Sequence, residues 1–184
     1  MTTKMSGAFT ILYSIRGSMQ QSAYVKEDKQ GPHSTWGECM YTTIVRRIVR
    51  SGFRALSAGN YEQVLRQFHQ LVIFSFIGPV PLGGERRGVE AAREWFQRLF
   101  SYFPGIQFTV RHVIVQGWPC NTLVATQLSV AAPRADGSMY RNEVMQFLHL
   151  RWGKVVEDRL YEDTYKLAGE LQERLGREET VVQD

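Results

Sequence analysis

The sequence predicts an α+β domain in which a curved antiparallel sheet wraps around helices to form a cone with a pocket at its open end. Two observations carry this prediction. Helical patterns dominate the first part of the domain, whereas apolar and polar residues alternate with a period of two in the second part. The four strands of the second part are joined by short connections, which makes each strand the antiparallel neighbour of the next.

The helical part begins at Thr43. The segment TIVRRIVRSGFRAL places aliphatic residues along one stripe of a helix and arginines opposite, and the glycine of SAGN ends that helix. Asn60 then suits the cap of a second, short helix, YEQVLRQF. In GVEAAREWFQRLFSYF, apolar residues recur at spacings of three and four up to Pro104-Gly105, which predicts a third helix.

Strand patterns account for most of the remaining domain. QLVIFSFIG is a continuous apolar run, which indicates a strand buried on both faces, and PVPLGGERRG after it is predicted to be a loop. Four further strands follow: IQFTVRHVIVQG, NTLVATQLSVAA, SMYRNEVMQFLHLRW and KVVEDRLYED. Short turns join them, and the one at Asp136-Gly137 is a strong hairpin signal. A last helix, YKLAGELQERLG, is predicted to end at Gly176.

Three segments are expected along the chain. Residues 1–41 are predicted to be a poorly ordered N-terminal extension, residues 42–176 the cone domain and residues 177–184 a charged tail. The extension has no acidic residue before Glu27 and only one short apolar run, so an organelle-targeting segment is the alternative interpretation. We expect a cytoplasmic protein.

Composition and charge argue against several classes of partner. The net charge is +4, yet no run of Lys and Arg is longer than two residues, so a nucleic-acid partner is not expected. No apolar run approaches the roughly 20 residues of a membrane span, so a membrane partner is not expected. The two cysteines, Cys39 and Cys120, form no metal-ligand pattern, and we expect no metal and no cofactor.

Four motifs carry a family resemblance. They are ALSAGNYEQVLRQF, GVEAAREWFQRL, DGSMYRNEV and GKVVEDRLYEDTYKL, and they span about Thr43 to Leu167. In this order and spacing they resemble the SnoaL-like proteins of the nuclear-transport-factor-2-like superfamily. The resemblance implies a cone with a deep apolar pocket for a small hydrophobic ligand, and a homodimer formed through the sheet. The family includes ketosteroid isomerases, polyketide cyclases, epoxide hydrolases, dehydratases and members with no known activity.

The resemblance also shows which activity not to expect. Ketosteroid isomerase chemistry needs a carboxylate that shuttles a proton, and a tyrosine and a protonated acid that hold the oxyanion. By the resemblance, the tyrosine would fall at Gly52, the shuttle acid near Phe76 to Gly78, and the second acid at Gln146. No Asp or Glu occurs between Glu62 and Glu85. We therefore do not expect steroid isomerase activity.

Polar candidates lie on the strand SMYRNEVMQFLHLRW. Tyr140, Asn142 and Gln146 share one face of this strand, and the resemblance implies that this face lines the pocket. The two amides would then bind a carbonyl or hydroxyl of the ligand. The alternative is that they bond each other or the nearby backbone, because buried amides need partners. His149 shares the opposite face, where a subunit contact is expected.

Asp158 is the candidate catalytic residue. In the strand KVVEDRLYED its own face carries Val156 and Leu160, and the resemblance implies that this face also meets the pocket. An acid among aliphatic residues loses hydration, which raises its pKa and suits it to proton transfer. The alternative is a partly exposed acid that is paired with Arg111 or Arg159.

Aromatic residues are the predicted walls of the pocket. The candidates are Phe53, Phe74, Phe76, Trp95 and Phe96, which suit a flat apolar ligand or, alternatively, simply fill the core. Two functions therefore remain. The first is an isomerase, cyclase or dehydratase of the SnoaL type with Asp158 as acid and base. The second is a non-catalytic ligand-binding or dimeric assembly module, whose cavity would be closed or uniformly apolar.

Overall fold

The computed structural model describes residues 36–181. Most of the predicted extension, with its alternative targeting role, and residues 182–184 of the predicted tail lie outside the described residues. Four helices and six strands are present in this range. The helices are α1 (Trp36–Ser57), α2 (Tyr61–Leu65), α3 (Val89–Tyr102) and α4 (Thr164–Val181), and the strands are β1 (Phe68–Ile77), β2 (Gly84–Arg87), β3 (Gln107–Trp118), β4 (Asn121–Pro133), β5 (Met139–Arg151) and β6 (Lys154–Glu162).

The strands form one curved, unclosed sheet in the order β2-β1-β6-β5-β4-β3. Strands β3 to β6 are the predicted antiparallel meander. Gly137 supplies the left-handed backbone, with φ of 85°, that the tight Asp136-Gly137 turn needs. The α+β class and the sheet wrapped around helices are therefore confirmed.

Strand β1 departs from its prediction in two ways. It pairs parallel to β6, and β2, which lies within the predicted loop PVPLGGERRG, pairs antiparallel to its other edge. It is also not buried on both faces, because Val72, Phe74 and Phe76 are buried whereas Leu71 is 78% exposed. The helices cover only one face of the sheet, so the other face of this apolar strand is exposed to solvent. The strand also begins earlier than predicted, at Phe68, which was assigned to the helix YEQVLRQF.

Both long terminal helices extend further than predicted. Helix α1 begins at Trp36 rather than near Thr43, and α4 continues past Gly176 to Val181. A glycine costs a helix only about 1 kcal/mol relative to alanine, and the Arg-Glu-Glu that follows it favours helix. Glycine therefore does not end this helix.

A register shift in β6 changes which residues face inward. The shift lies opposite His149 and Leu150 of β5, so that Val155 rather than Val156 shares the buried face with Asp158. The predicted grouping of Val156 with Asp158 is wrong for this reason. A β-bulge adds one residue to one strand, and it reverses the alternation on one side of the bulge.

The core lies between the inner face of the sheet and the helices. Helix α1 packs along β3, and α3 packs against β1 and β2. Leu167 and Leu171 attach α4 to the same apolar cluster. Within residues 36–181, no helix combines the length and the apolar character that a bilayer crossing requires.

Candidate functional site

A cavity of about 90 Å³ lies between the inner face of the sheet and the helices. Aromatic side chains make up much of its wall. They include the predicted Phe53, Phe74, Phe76, Trp95 and Phe96, together with Phe68 and Phe103. The same rings also contact one another, since the centroids of Phe74 and Trp95 are 4.7 Å apart. The Trp95 indole donates its hydrogen to the carbonyl of Leu82 at 2.8 Å, so it presents an apolar face to the cavity.

Asp158 lies on the wall of this cavity and is 2% exposed. Its carboxyl accepts hydrogen bonds from Nε2 of Gln146 at 3.0 Å to Oδ1 and 3.1 Å to Oδ2. Burial raises the pKa of Asp158 to about 7, although the hydrogen bond from Gln146 opposes that rise. At neutral pH this carboxyl is therefore divided between its acid and its base forms.

The alternative ion pairs of Asp158 do not form. Arg159 donates to Glu157 at 2.5 Å, and Arg111 lies 3.5 Å from Glu143. Each of these pairs is on the outer side of the sheet, because the residues alternate with the inward ones. The charged form of Asp158 thus depends on the Gln146 amide for stabilisation.

Gln146 lies beside Asp158 on the cavity wall, and one of its polar atoms has no hydrogen-bond partner. Its Nε2 is engaged by Asp158, whereas its Oε1 is buried without a hydrogen-bond partner. An unpaired buried acceptor is unusual, and here it lies on a side chain that lines a cavity. Gln146 therefore holds Asp158 and still has an acceptor for a hydroxyl group of a ligand.

Asn142 does not line the cavity, unlike the other predicted polar residues. Its Nδ2 donates to the hydroxyl oxygen of Tyr140 at 2.9 Å and to the carbonyl of Asp163 at 3.0 Å. Its Oδ1 accepts from the backbone nitrogen of Glu143. The alternative expectation, that this amide bonds its neighbours, describes Asn142.

Tyr140 lines the cavity at the end where β6 meets α4. Its ring lies 5.4 Å from that of Phe103, and its oxygen accepts the hydrogen bond from Asn142. Burial raises the pKa of Tyr140 above its ordinary value, so the hydroxyl keeps its hydrogen. A buried phenol with its oxygen already engaged is an available donor.

Glu162 is a cavity residue that the sequence interpretation missed. It lies near the end of the predicted strand KVVEDRLYED, yet its side chain lines the cavity and its Oε1 is buried without a partner. Burial, with the charge of Asp163 adding to it, raises the pKa of Glu162 to about 8. The signal was present, because Glu162 follows Asp158 and Leu160 at a spacing of two.

Gln67 also lines the cavity, whereas the histidine of β5 lies away from it. His149 is on the outer side of β5, where its Nε2 is 2.6 Å from Oδ1 of Asn121. Among the residues that the structure describes, no three His, Cys, Asp or Glu side chains converge as a metal site requires. The cavity therefore offers the carboxyls of Asp158 and Glu162, the phenol of Tyr140 and two amides, those of Gln146 and Gln67, in an apolar surrounding.

Comparison with known proteins gives the chain its family context. The SnoaL-like domain family matches residues 49–158. Among solved structures, the chain is similar to IdmH, a putative polyketide cyclase from Streptomyces antibioticus, with 17% identity, a TM-score of 0.57, and 69% of this chain and 97% of that chain covered. No curated protein sequence matches the chain.

Two further structures share the fold. A putative SnoaL-like polyketide cyclase from Jannaschia has 22% identity and a TM-score of 0.53, over 68% of this chain and 89% of that chain. A protein of unknown function from Burkholderia pseudomallei, described as nuclear-transport-factor-2-like, has 13% identity and a TM-score of 0.59, over 68% and 95%. Identities this low show the fold, and function has to be argued from the site.

Proposed function

Because the chain belongs to the SnoaL-like domain family of the nuclear-transport-factor-2-like superfamily, we propose that its cavity binds a small hydrophobic molecule and that Asp158 exchanges a proton with it. One observation carries the proposal. Asp158 is a buried carboxyl on the wall of an apolar cavity, and Gln146 holds both of its oxygens. The polyketide cyclase names of similar structures support the same type of ligand.

The reaction class follows from this carboxyl. A general acid or base works best when its pKa is near the working pH, and burial raises that of Asp158 to about 7. The residue can then take a proton from a carbon beside a carbonyl group and return it elsewhere. We propose an isomerisation, cyclisation or dehydration that needs no cofactor, with Gln146 orienting Asp158 and the aromatic wall excluding water.

Steroid isomerisation is not part of the proposal. The positions that the resemblance assigns to the isomerase groups are Gly52, Phe76 and Gln146, and all three line the cavity. None of them supplies the tyrosine or the carboxyls that this chemistry needs. The lining of the cavity also argues against a binding module without chemistry. It is not uniformly apolar, because Asp158 and Glu162 belong to it.

The proposal is tested by proton exchange on a model ketone. The probe is β-tetralone, a flat bicyclic ketone whose α-hydrogens exchange with deuterium oxide, followed by NMR. We expect the protein to accelerate exchange and Asp158→Asn to lower that rate by about 100-fold or more while retaining ketone binding. Glu157→Gln is the matched control, since Glu157 neighbours Asp158 but pairs with Arg159. Equal rates for wild type and Asp158→Asn would refute the proposed role.

We also propose a homodimer formed through the outer face of the sheet. Five large apolar side chains are exposed there, which we call the outer patch: Ile114, Leu123, Met145, Phe147 and Tyr161. They alternate with inward residues on four neighbouring strands, so they form one surface. Exposed apolar surface of this kind supports an interface between protein chains.

A cytoplasmic location belongs to the same proposal. Thiols remain reduced in that compartment. Cys120 is an exposed free thiol, and a reducing compartment such as the cytoplasm suits such a thiol.

A further inference from the structure

We infer that Glu162 and Tyr140 form a second polar subsite of the cavity, which binds an oxygen atom at the end of the ligand remote from Asp158. This inference rests on the proposed function for the presence of a ligand, and it deepens that function by naming the class of ligand. The ligand is a flat apolar molecule that carries an oxygen function at each end.

The two carboxyls occupy separate positions along β6. Asp158, Leu160 and Glu162 all line the cavity, and Asp158 lies opposite Leu148 of β5 whereas Glu162 lies opposite Val144. Four residues of strand separate their Cα atoms by roughly 13 Å. With Leu160 between them, the two acids do not form a carboxyl pair that shares one proton. They mark two polar positions on one apolar wall.

Tyr140 and Glu162 lie at the same end of the cavity. Asn142 links the Tyr140 hydroxyl to the carbonyl of Asp163, the residue that follows Glu162. The charge of Glu162 is also close enough to influence the ionisation of Tyr140. The Asn142 amide thus holds the phenol at the end of β6 that carries Glu162 and Asp163 rather than at the end that carries Asp158.

Unused hydrogen-bonding capacity points to a ligand at this end. Oε1 of Glu162 is buried without a partner, and the oxygen of the Tyr140 hydroxyl accepts the hydrogen bond from Asn142. Buried polar atoms are normally paired, and an unpaired one needs an explanation. At the other end of the cavity, Oε1 of Gln146 is unpaired as well. A ligand with one oxygen function at each end supplies both missing partners.

The charges around Glu162 set its role as a donor. Asp163 follows it on the chain, Tyr140 of β5 is within reach of its charge, and Glu170 of α4 is neutralised by Arg134 and Arg174. Burial and the charge of Asp163 raise the pKa of Glu162 to about 8, so its carboxyl is largely protonated at neutral pH. The subsite then presents two O–H donors, which suits a carbonyl or phenol oxygen.

Three naphthalenes of one shape test the subsite: naphthalene, naphthol with one hydroxyl, and the naphthalenediol with hydroxyls at opposite ends. The dissociation constant of each is measured by calorimetry at pH 7. In wild type we expect the second hydroxyl to tighten binding by roughly threefold to tenfold, the strength of one neutral hydrogen bond. Glu162→Leu should remove that gain. Glu162→Gln should keep it because an amide still donates, and Tyr140→Phe should reduce it.

The outcomes separate the subsite from the proposed function. An equal gain from the second hydroxyl in wild type and Glu162→Leu would overturn the inference, as would no gain in wild type. If naphthalene binds but the hydroxyls add nothing, the subsite is wrong and the apolar binding site stands. If naphthalene does not bind to the wild-type protein at all, the proposed function and the inference fail together. Tyr140→Phe gives an independent reading should Glu162→Leu fold poorly.

Discussion

The buried carboxyl of Asp158, which the proposed function requires, lowers the stability of the fold at neutral pH. A buried acid whose pKa is raised from 3.8 to about 7 binds its proton more tightly in the folded protein than in the unfolded chain. Its contribution to stability is therefore complete below pH 3.8 and is lost as the pH rises towards 7. Gln146 limits the loss because its amide stabilises the charged form.

The substitution Asp158→Asn should consequently stabilise the protein at alkaline pH. Asparagine has the shape of aspartate and no charge, and the free Oε1 of Gln146 lets that amide turn and accept the new N–H. We expect the advantage of the variant over wild type to grow by about 3 kcal/mol between about pH 5 and 8. Urea unfolding of both proteins at each pH measures it, and an advantage that is independent of pH would contradict a raised pKa.

The sequence allowed Asp158 to be identified because its neighbours two positions away include an aliphatic residue on the same strand face. It allowed Gln146 to be placed on the pocket face by the same alternation. The sequence could not show which of the two amides contacts Asp158. Gln146 does so and Asn142 does not, because the register between β5 and β6 decides which residue lies near Asp158. The same period of two also predicts an inward side chain for Glu162, but Glu162 stands at the end of the strand pattern, where the period gives its weakest indication.

At the scale of elements, α4 is held by a buried acid between two arginines. Glu170 accepts from Arg134 at 2.6 Å and from Arg174 at 2.7 Å, and its side chain is 1% exposed. Arg174 also donates to the carbonyls of Tyr102 and Pro133 and lies over the ring of Phe103. This cluster links α4 to the end of α3 and to β4.

Replacing Glu170 by glutamine should weaken that link. Removing the charge leaves two arginines partly buried without their anion, and breaking such a pair is strongly destabilising. We expect the melting temperature to fall by roughly 5 to 10 °C, as measured by calorimetry. Glu173→Gln on the exposed side of the same helix is the matched control. Equal melting temperatures for the two variants would show that the cluster does not hold α4.

Elements were predictable wherever their signal is local. The three meander turns and the helices α2 and α3 follow from glycines, caps and periodicity. The parallel pairing of β1 with β6 and the formation of β2 join segments that are distant in sequence, so no local pattern specifies them. Strand β1 was taken to be buried on both faces since a continuous apolar run does not reveal that helices cover only one.

At the scale of the whole molecule, the outer patch predicts a dimer. Phe147 and Tyr161 pack edge to face, with ring centroids 5.9 Å apart, near the middle of the exposed face. A charge there would have to be buried on association, so Phe147→Asp should convert dimers into monomers. Sedimentation velocity measures the change. Tyr165→Asp, on the 90% exposed Tyr165 of α4, is the control and should leave the mass unchanged.

A monomeric wild-type protein would contradict this proposal directly. The same result would leave the cavity chemistry untouched, because the cavity wall and the outer patch use opposite faces of the sheet. The overall architecture, unlike the dimer, followed from the sequence: the order of helices and strands and four ordered motifs indicated both the fold and its family.

The cavity is small for the ligands proposed. It measures about 90 Å³, whereas an engineered cavity of roughly 150 Å³ holds benzene. A ligand of two rings therefore has to displace partly exposed lining residues, of which Leu160 lies between the two polar positions. The volume of the cavity was not predictable from the sequence, because it depends on how closely the aromatic rings pack.

The pH dependence of β-tetralone exchange tests most directly whether Asp158 transfers protons in this cavity. If Asp158 is the base, the protein-catalysed rate should rise with its ionisation, reach half of its plateau near pH 7, and lose this step in Asp158→Asn. A midpoint near pH 4, where a solvated aspartate titrates, or an identical profile in the variant would contradict the account.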